Sequence, residues 1–167
     1  MANETTTRLG ALVIDPQAHM AALVADMLRN LGRRDIREAW DANQAQLELR
    51  RRAFEVVIID DALVGPDAVE LVRRLRADAN SPNRLTPIIM MAAAPDAARI
   101  AAARDAGVTE FLRKPFAVIH LKSRLDGMEA HPRPFIEANH YAGPDRRRKV
   151  TDIGTPDRRS ESEPDQV

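Results

Sequence analysis

Cysteine is absent from the 167 residues. That removes disulfides, a thiol nucleophile and cysteine-based zinc sites together. Histidine is scarce: His19, His120, His131 and His140 are the four present, and no two lie four residues apart. A histidine metal site therefore lacks its usual helical spacing. Aromatic residues make up 4% of the chain, with one tryptophan, Trp40, and one tyrosine, Tyr141. Net charge is missing too, since 25 Lys+Arg balance 25 Asp+Glu. This argues against a globally basic nucleic-acid binder and against a generic binder of anionic membranes. No apolar run approaches the roughly 20 residues of a membrane span. The opening MANETTTRLG lacks the basic-then-apolar layout of a signal peptide. The sequence reads as a soluble cytoplasmic protein of one domain, or one domain plus a tail.

What is present is a regular alternation. Leu9–Ile14 and Pro87–Met91 are apolar runs of strand length, and Glu55–Asp60 reads as a strongly β-branched buried strand. Ile36 and Ala39 lie on a weaker second strand, and Thr109–Leu112 forms a fifth. Between them, 18–31, 44–53, 67–75, 95–106 and 117–128 carry helical patterns, with Gly32 and Gly107 as stops. Five strands alternating with five helices imply βαβ units and an α/β fold with a doubly wound, five-stranded parallel sheet. Strands buried on both faces read as unbroken apolar runs, as three of these do. Ligand chemistry in such a sheet belongs at the carboxyl ends of its strands. Those ends carry Asp15, Asp60, Ala92 and Lys114.

Composition changes after residue 129. Residues 130–167 hold five of the eleven prolines (Pro132, Pro134, Pro144, Pro156, Pro164), many charges and few large apolar side chains. Such a segment cannot bury enough apolar surface to offset its ordering entropy. The expectation is a domain over 1–129 and a largely disordered Arg-rich tail over 130–167, with Phe135 and Ile136 available to pin the tail to the last helix. The tail is too proline-rich for a DNA-binding helix-turn-helix, and no DNA partner or membrane insertion is expected.

VIIDD (57–61) followed by Asp67, TPIIMMAA (86–93) and AGVTEFLRKPF (106–116) resemble the CheY-like response-regulator receivers across residues 8–127. The resemblance implies a flavodoxin-like fold in which Asp60 is the phosphoacceptor and Lys114 pairs with the phosphoryl oxygens. It also implies a cis bond before Pro115 and a Mg²⁺ ion held by Asp15, Asp60 and the carbonyl of Ala62. A carboxylate nucleophile, a divalent cation and an ammonium are the parts that phosphoryl transfer to an acid requires. Two parts of the family pattern are missing. The second acid after strand one is Pro16, and the hydroxyl at the end of strand four is replaced by Ala92. The strand-five switch aromatic is Phe111, and Asp61 reads as a plain polar residue at its strand end.

The tail contains a repeat. YAGPDRRR (141–148) and IGTPDRRS (153–160) share Pro-Asp-Arg-Arg with a shift of 12 residues. Arg suits bidentate contacts with phosphate or the guanine O6/N7 edge. An acid suits the guanine N1–H and N2–H₂ face, and Tyr141 can stack on a base. Two such units fit a ligand with two guanines and two phosphates, and cyclic di-GMP is such a ligand. A receiver followed by this tail resembles the Cle family of CheY-like cyclic di-GMP effectors. The resemblance implies Tyr141, Asp145, Arg146, Arg147, Arg148, Asp157, Arg158 and Arg159 as the ligand set, and up to two nucleotides per chain. It also implies docking of the loaded monomer on the flagellar motor switch through the α4–β5–α5 surface (roughly 95–128), with recruitment to the flagellar base.

Three readings stay open on the sequence: a cyclic di-GMP effector, a phosphorelay receiver controlled by Asp60, and an interaction module whose Arg run grips RNA. None turns over a substrate, so no enzyme is expected.

Overall fold

The computed structural model describes residues 9–147. Five parallel strands form one sheet: β1 (Ala11–Ile14), β2 (Ile36–Ala39), β3 (Val56–Asp60), β4 (Ile88–Ala92) and β5 (Glu110–Arg113), in the order β2-β1-β3-β4-β5. The helices are α1 (Ala18–Asn30), α2 (Ala42–Arg51), α3 (Ala68–Ala77), α4 (Ala97–Ala106) and α5 (Val118–Ala130). Alternate strand residues point to opposite faces, and two cores result. Leu12, Ile14, Val57, Ile59, Ile88 and Met90 pack against α2, α3 and α4. Val13, Val56, Ile58, Ile89, Met91 and Leu112 pack against α1 and α5 through Val24, Leu28, Leu121 and Leu125. The expected doubly wound parallel sheet is present.

The α1 start falls where expected, and the starts of α2, α3 and α4 differ from the sequence expectation by one or two residues, each set by an aspartate cap. Asp41, Asp67 and Asp96 are N-caps whose carboxylates accept from the backbone N–H of Gln44, Glu70 and Arg99 at 2.7, 2.9 and 2.7 Å. Gly107 closes α4 in the left-handed conformation, with φ of 112°.

The tail departs from expectation more sharply. Residues expected to lack structure form a hairpin of β6 (Phe135–Ala138) and β7 (Tyr141–Pro144), paired antiparallel and turning at Asn139-His140. β7 packs on α3 and α4. Phe135 lines a small cavity together with Gly127 and Met128 of α5. Three contacts explain the order. Arg76, 1% exposed, donates to the carbonyls of Gly107 (3.1 Å) and Arg84 (2.5 Å). Arg84 in turn ion-pairs with Glu137 at 2.9 Å and lies 5.1 Å over the Phe135 ring. Gly143 lies so close to Gly107 that a Cβ on it would meet the Gly107 Cα at 2.9 Å. The hairpin therefore sits at the amino ends of β4 and β5, opposite the end that carries Asp60. No helix of the described residues is long and apolar enough to cross a membrane.

Candidate functional sites at two ends of the sheet

Asp60 is the last residue of β3, Asp15 follows β1 and Lys114 follows β5, so three parallel strands of the sheet, β1 and β3 side by side and β5 beyond β4, deliver all three to one edge. Asp15 is 1% exposed and Asp60 is 5% exposed. Lys114 Nζ ion-pairs with Asp60 Oδ2 and lies 3.5 Å from Asp15 Oδ2. The remaining oxygens accept backbone N–H groups, Asp60 Oδ1 from Ala62 (2.8 Å) and Asp15 Oδ1 from Gln17 (2.9 Å). Burial pushes the Asp15 carboxyl up, and the nearby Asp60 charge adds to this against the opposing pull of the Gln17 N–H and Lys114. Burial works against the Lys114 ammonium, but Asp60 and Asp15 outweigh it and raise its pKa. The Lys114–Pro115 bond is cis, as the resemblance implied.

These residues line a cavity of about 470 Å³ whose far wall is Ala92, Ala93 and Ala94. The wall carries no hydroxyl. A divalent cation in this cleft would be held by Asp15, Asp60 and the Ala62 carbonyl. The buried Oδ2 of Asp60 makes no hydrogen bond beyond its ion pair with Lys114, so it retains capacity for a cation. No cluster of three acidic or histidine side chains gathers among the described residues. Two carboxylates with one under-bonded buried oxygen form a hard oxygen donor set that suits Mg²⁺ only with water completing most of its shell.

Asp61 does more than the sequence suggested. Arg99 of α4 ion-pairs with Asp61 at 2.6 Å and with Asp67 at 3.5 Å, tying α4 to the loop after β3. No sequence spacing marks that clamp, because 38 residues separate Arg99 from Asp61.

At the other end, Tyr141, Asp145, Arg146 and Arg147 of the expected ligand set are described, while Arg148, Asp157, Arg158 and Arg159 lie outside the described residues. Tyr141 is not a free stacking ring. Its hydroxyl donates to the Pro144 carbonyl at 2.6 Å, and the Arg146 guanidinium lies over its face, 4.5 Å from the centroid. Burial raises the Tyr141 pKa, opposed by the charges of Arg146 and Arg76. Arg146 also ion-pairs with Asp105 of α4. Asp145 receives the Arg147 N–H at 2.9 Å and donates its own N–H to Pro134 at 2.7 Å. An open cavity of about 490 Å³ is bordered by Asp105, Asn139, His140, Tyr141 and Arg146. Asp105 is a neighbour the sequence reading missed, because it lies in the domain body rather than in the repeat.

Residues 11–126 match the response regulator receiver domain family. The chain is 31% identical over 115 residues to chemotaxis protein CheY-3 of Vibrio cholerae, covering 69% of this chain and 87% of that protein. It is 29% identical to chemotaxis protein CheY of Pseudomonas aeruginosa, covering 69% and 91%. Its fold is similar to the receiver domain of sensor histidine kinase PA1611 from Pseudomonas aeruginosa, solved with a magnesium ion coordinated in its active site cleft. That match has a TM-score of 0.66 and 25% identity, and covers 75% of this chain and all of the other. The acid pair and lysine at one sheet edge, the strand order and these matches together make the chain a member of the response regulator receiver domain family.

Proposed function

We propose that this receiver is a cyclic di-GMP effector in which the tail binds the dinucleotide and the loaded protein docks on the flagellar motor switch. It would act as a cytoplasmic monomer recruited to the flagellar base. The observation that carries this reading is the arrangement at Arg146. Its guanidinium is stacked on Tyr141 beside an open cavity that also presents the Asp105 carboxylate. A stacking surface, a fork of donors and an acceptor are what a guanine base requires. The hairpin supports this further: Tyr141, Gly143 and Pro144 of the repeat hold its shape, and Arg146 and Arg147 after it stay exposed.

Titration of cyclic di-GMP into the full chain, Arg147→Ala and Arg148→Ala tests the reading. Binding of one or two nucleotides by the full chain and loss in both variants is expected. A full chain that takes no nucleotide sinks it.

A second reading is favoured by the buried acceptor cleft. Asp60 Oδ2 would attack the phosphorus of a donor, forming the acyl phosphate while the donor's O–P bond breaks and its oxygen leaves with the electron pair. Lys114 would hold the phosphoryl oxygens in place of its present ion pair. A bound Mg²⁺ would supply neutralising charge there. Labelling of Asp60 by acetyl phosphate with Mg²⁺, absent in Asp60→Ala, tests it. With Pro16 and Ala92 in place of two family parts, slow labelling is expected.

A further inference from the structure

We infer that the groove between α4, β5 and α5, with Arg146 on its rim, is the subsite for the nucleotide's phosphate groups. This rests on the cyclic di-GMP reading and adds two residues of the receiver body, Arg104 and Arg124, to the ligand set.

Arg104 comes from α4, Arg124 from α5, Arg133 from the link before β6 and Arg146 from the segment after β7. They converge on one cavity of about 220 Å³, together with Phe111 and Glu110. Four guanidiniums from four segments are unfavourable neighbours unless anions separate them. Two are balanced: Arg133 by Glu110 at 3.1 Å, and Arg146 by Asp105. Arg104 and Arg124 have no carboxylate partner among the described residues. Arg124 spends only its Nε, on the Phe111 carbonyl at 2.9 Å. Two uncompensated positive charges match the two phosphodiester charges of a cyclic dinucleotide. The planar forks can each take a phosphate bidentately.

Position supports the assignment. Arg146 borders this groove and also the larger cavity beside Tyr141 and Asp105. A base in the larger cavity would leave its phosphate next to Arg146, facing Arg104 and Arg124. The tail alone would then be an incomplete binder, and the ligand would bridge tail and receiver body.

Calorimetric titration of cyclic di-GMP into the full chain, Arg104→Ala, Arg124→Ala and the exposed control Arg50→Ala tests this. Each groove variant is expected to bind about tenfold more weakly, the loss of one charge-assisted contact. Arg50→Ala is expected to match the parent, and all four should melt at the same temperature. If the parent binds and both groove variants match it within about twofold, the groove assignment is overturned while the tail reading stands. An equal loss in Arg50→Ala also overturns it, because the effect would then be general charge. If the parent takes no cyclic di-GMP, the tail reading fails, and inorganic pyrophosphate decides the groove separately. Pyrophosphate binding that disappears in Arg104→Ala and Arg124→Ala keeps the phosphate subsite, and no binding removes it.

Discussion

The buried guanidinium of Arg76 donates to the carbonyl of Gly107, the residue against which the Gly143 backbone lies. One long side chain from α3 thus holds the turn between α4 and β5 in the shape that receives the hairpin. Burial without a carboxylate partner among the described residues drops the Arg76 pKa to about 10. Keeping a charge there costs stability, and the carbonyls of Gly107 and Arg84 are what offset that cost.

Gly143→Ala is the direct test of that docking. Its φ is not in the left-handed region, so the substitution meets only the contact problem. The new methyl would press on the Gly107 Cα and on the Tyr141 hydroxyl, 2.9 and 2.7 Å away. A loss of about 1–3 kcal/mol is expected from overpacking of this kind. Hydrogen exchange should show it first at the amides of β6 and β7. Unchanged protection there would mean that the hairpin is not held by this contact. By the same logic, a chain cut after residue 129 should melt below one cut after residue 147.

The receiver body was largely legible in the sequence, and the hairpin was not. Ala11–Ile14, Val56–Ile59 and Ile88–Met91 are apolar throughout because both sheet faces bury them, and such runs need no tertiary information to read. Asp15, Asp60 and Lys114 follow once the strand ends are known. Phe135–Pro144 gives a weak signal: two four-residue strands, a polar Asn-His turn and prolines on both sides. Its stability comes from Arg76, Arg84 and Gly107, which are 28 to 68 residues away along the chain. Composition alone cannot register such contacts. Asp105 and Arg99 were missed for the same reason, since their partners lie 41 and 38 residues away.

The acceptor cleft should trade stability for function at Asp15. Its folded pKa lies above the ordinary 3.8, so the folded state retains the proton that the unfolded chain gives up first as pH rises. Asp15 therefore lowers stability as pH rises from about 4 through its folded value. Asp15→Asn is expected to raise the melting temperature at pH 7, with the gain shrinking to nothing below pH 4. It should also weaken any Mg²⁺ binding to the cleft. A lower melting temperature at pH 7 would contradict the assigned burial cost.

Arg99 and Asp67 separate a clamp from a cap. Asp67 is held below its ordinary range first by the Glu70 N–H at the start of α3, and only then by Arg99. Arg99→Ala should therefore cost less than about 1 kcal/mol, as for other part-exposed ion pairs. Asp67→Ala should cost about 1 kcal/mol or more through the lost cap. The Asp67 contribution is present above pH 3.8 and is lost as pH falls through the depressed folded pKa. Urea titrations of the two variants at pH 7 and pH 3 give the comparison, and a larger loss in Arg99→Ala would reverse the assignment.

Tyr141 is the single tyrosine, so ultraviolet absorbance on alkaline titration reports this one phenol. Burial raises its pKa above 10, and the charges of Arg146 and Arg76 pull the other way. A midpoint above 10 is expected in the native protein, and one near 10 in urea. Because the unfolded phenol ionises first, the docked hairpin loses stability as pH rises from 10 through the native midpoint. Arg146→Ala removes the leading opposing charge and should move the midpoint higher still, provided the hairpin stays docked. A native midpoint at or below 10 would mean that the ring is not buried under Arg146, and the base site built on that stack would lose its foundation.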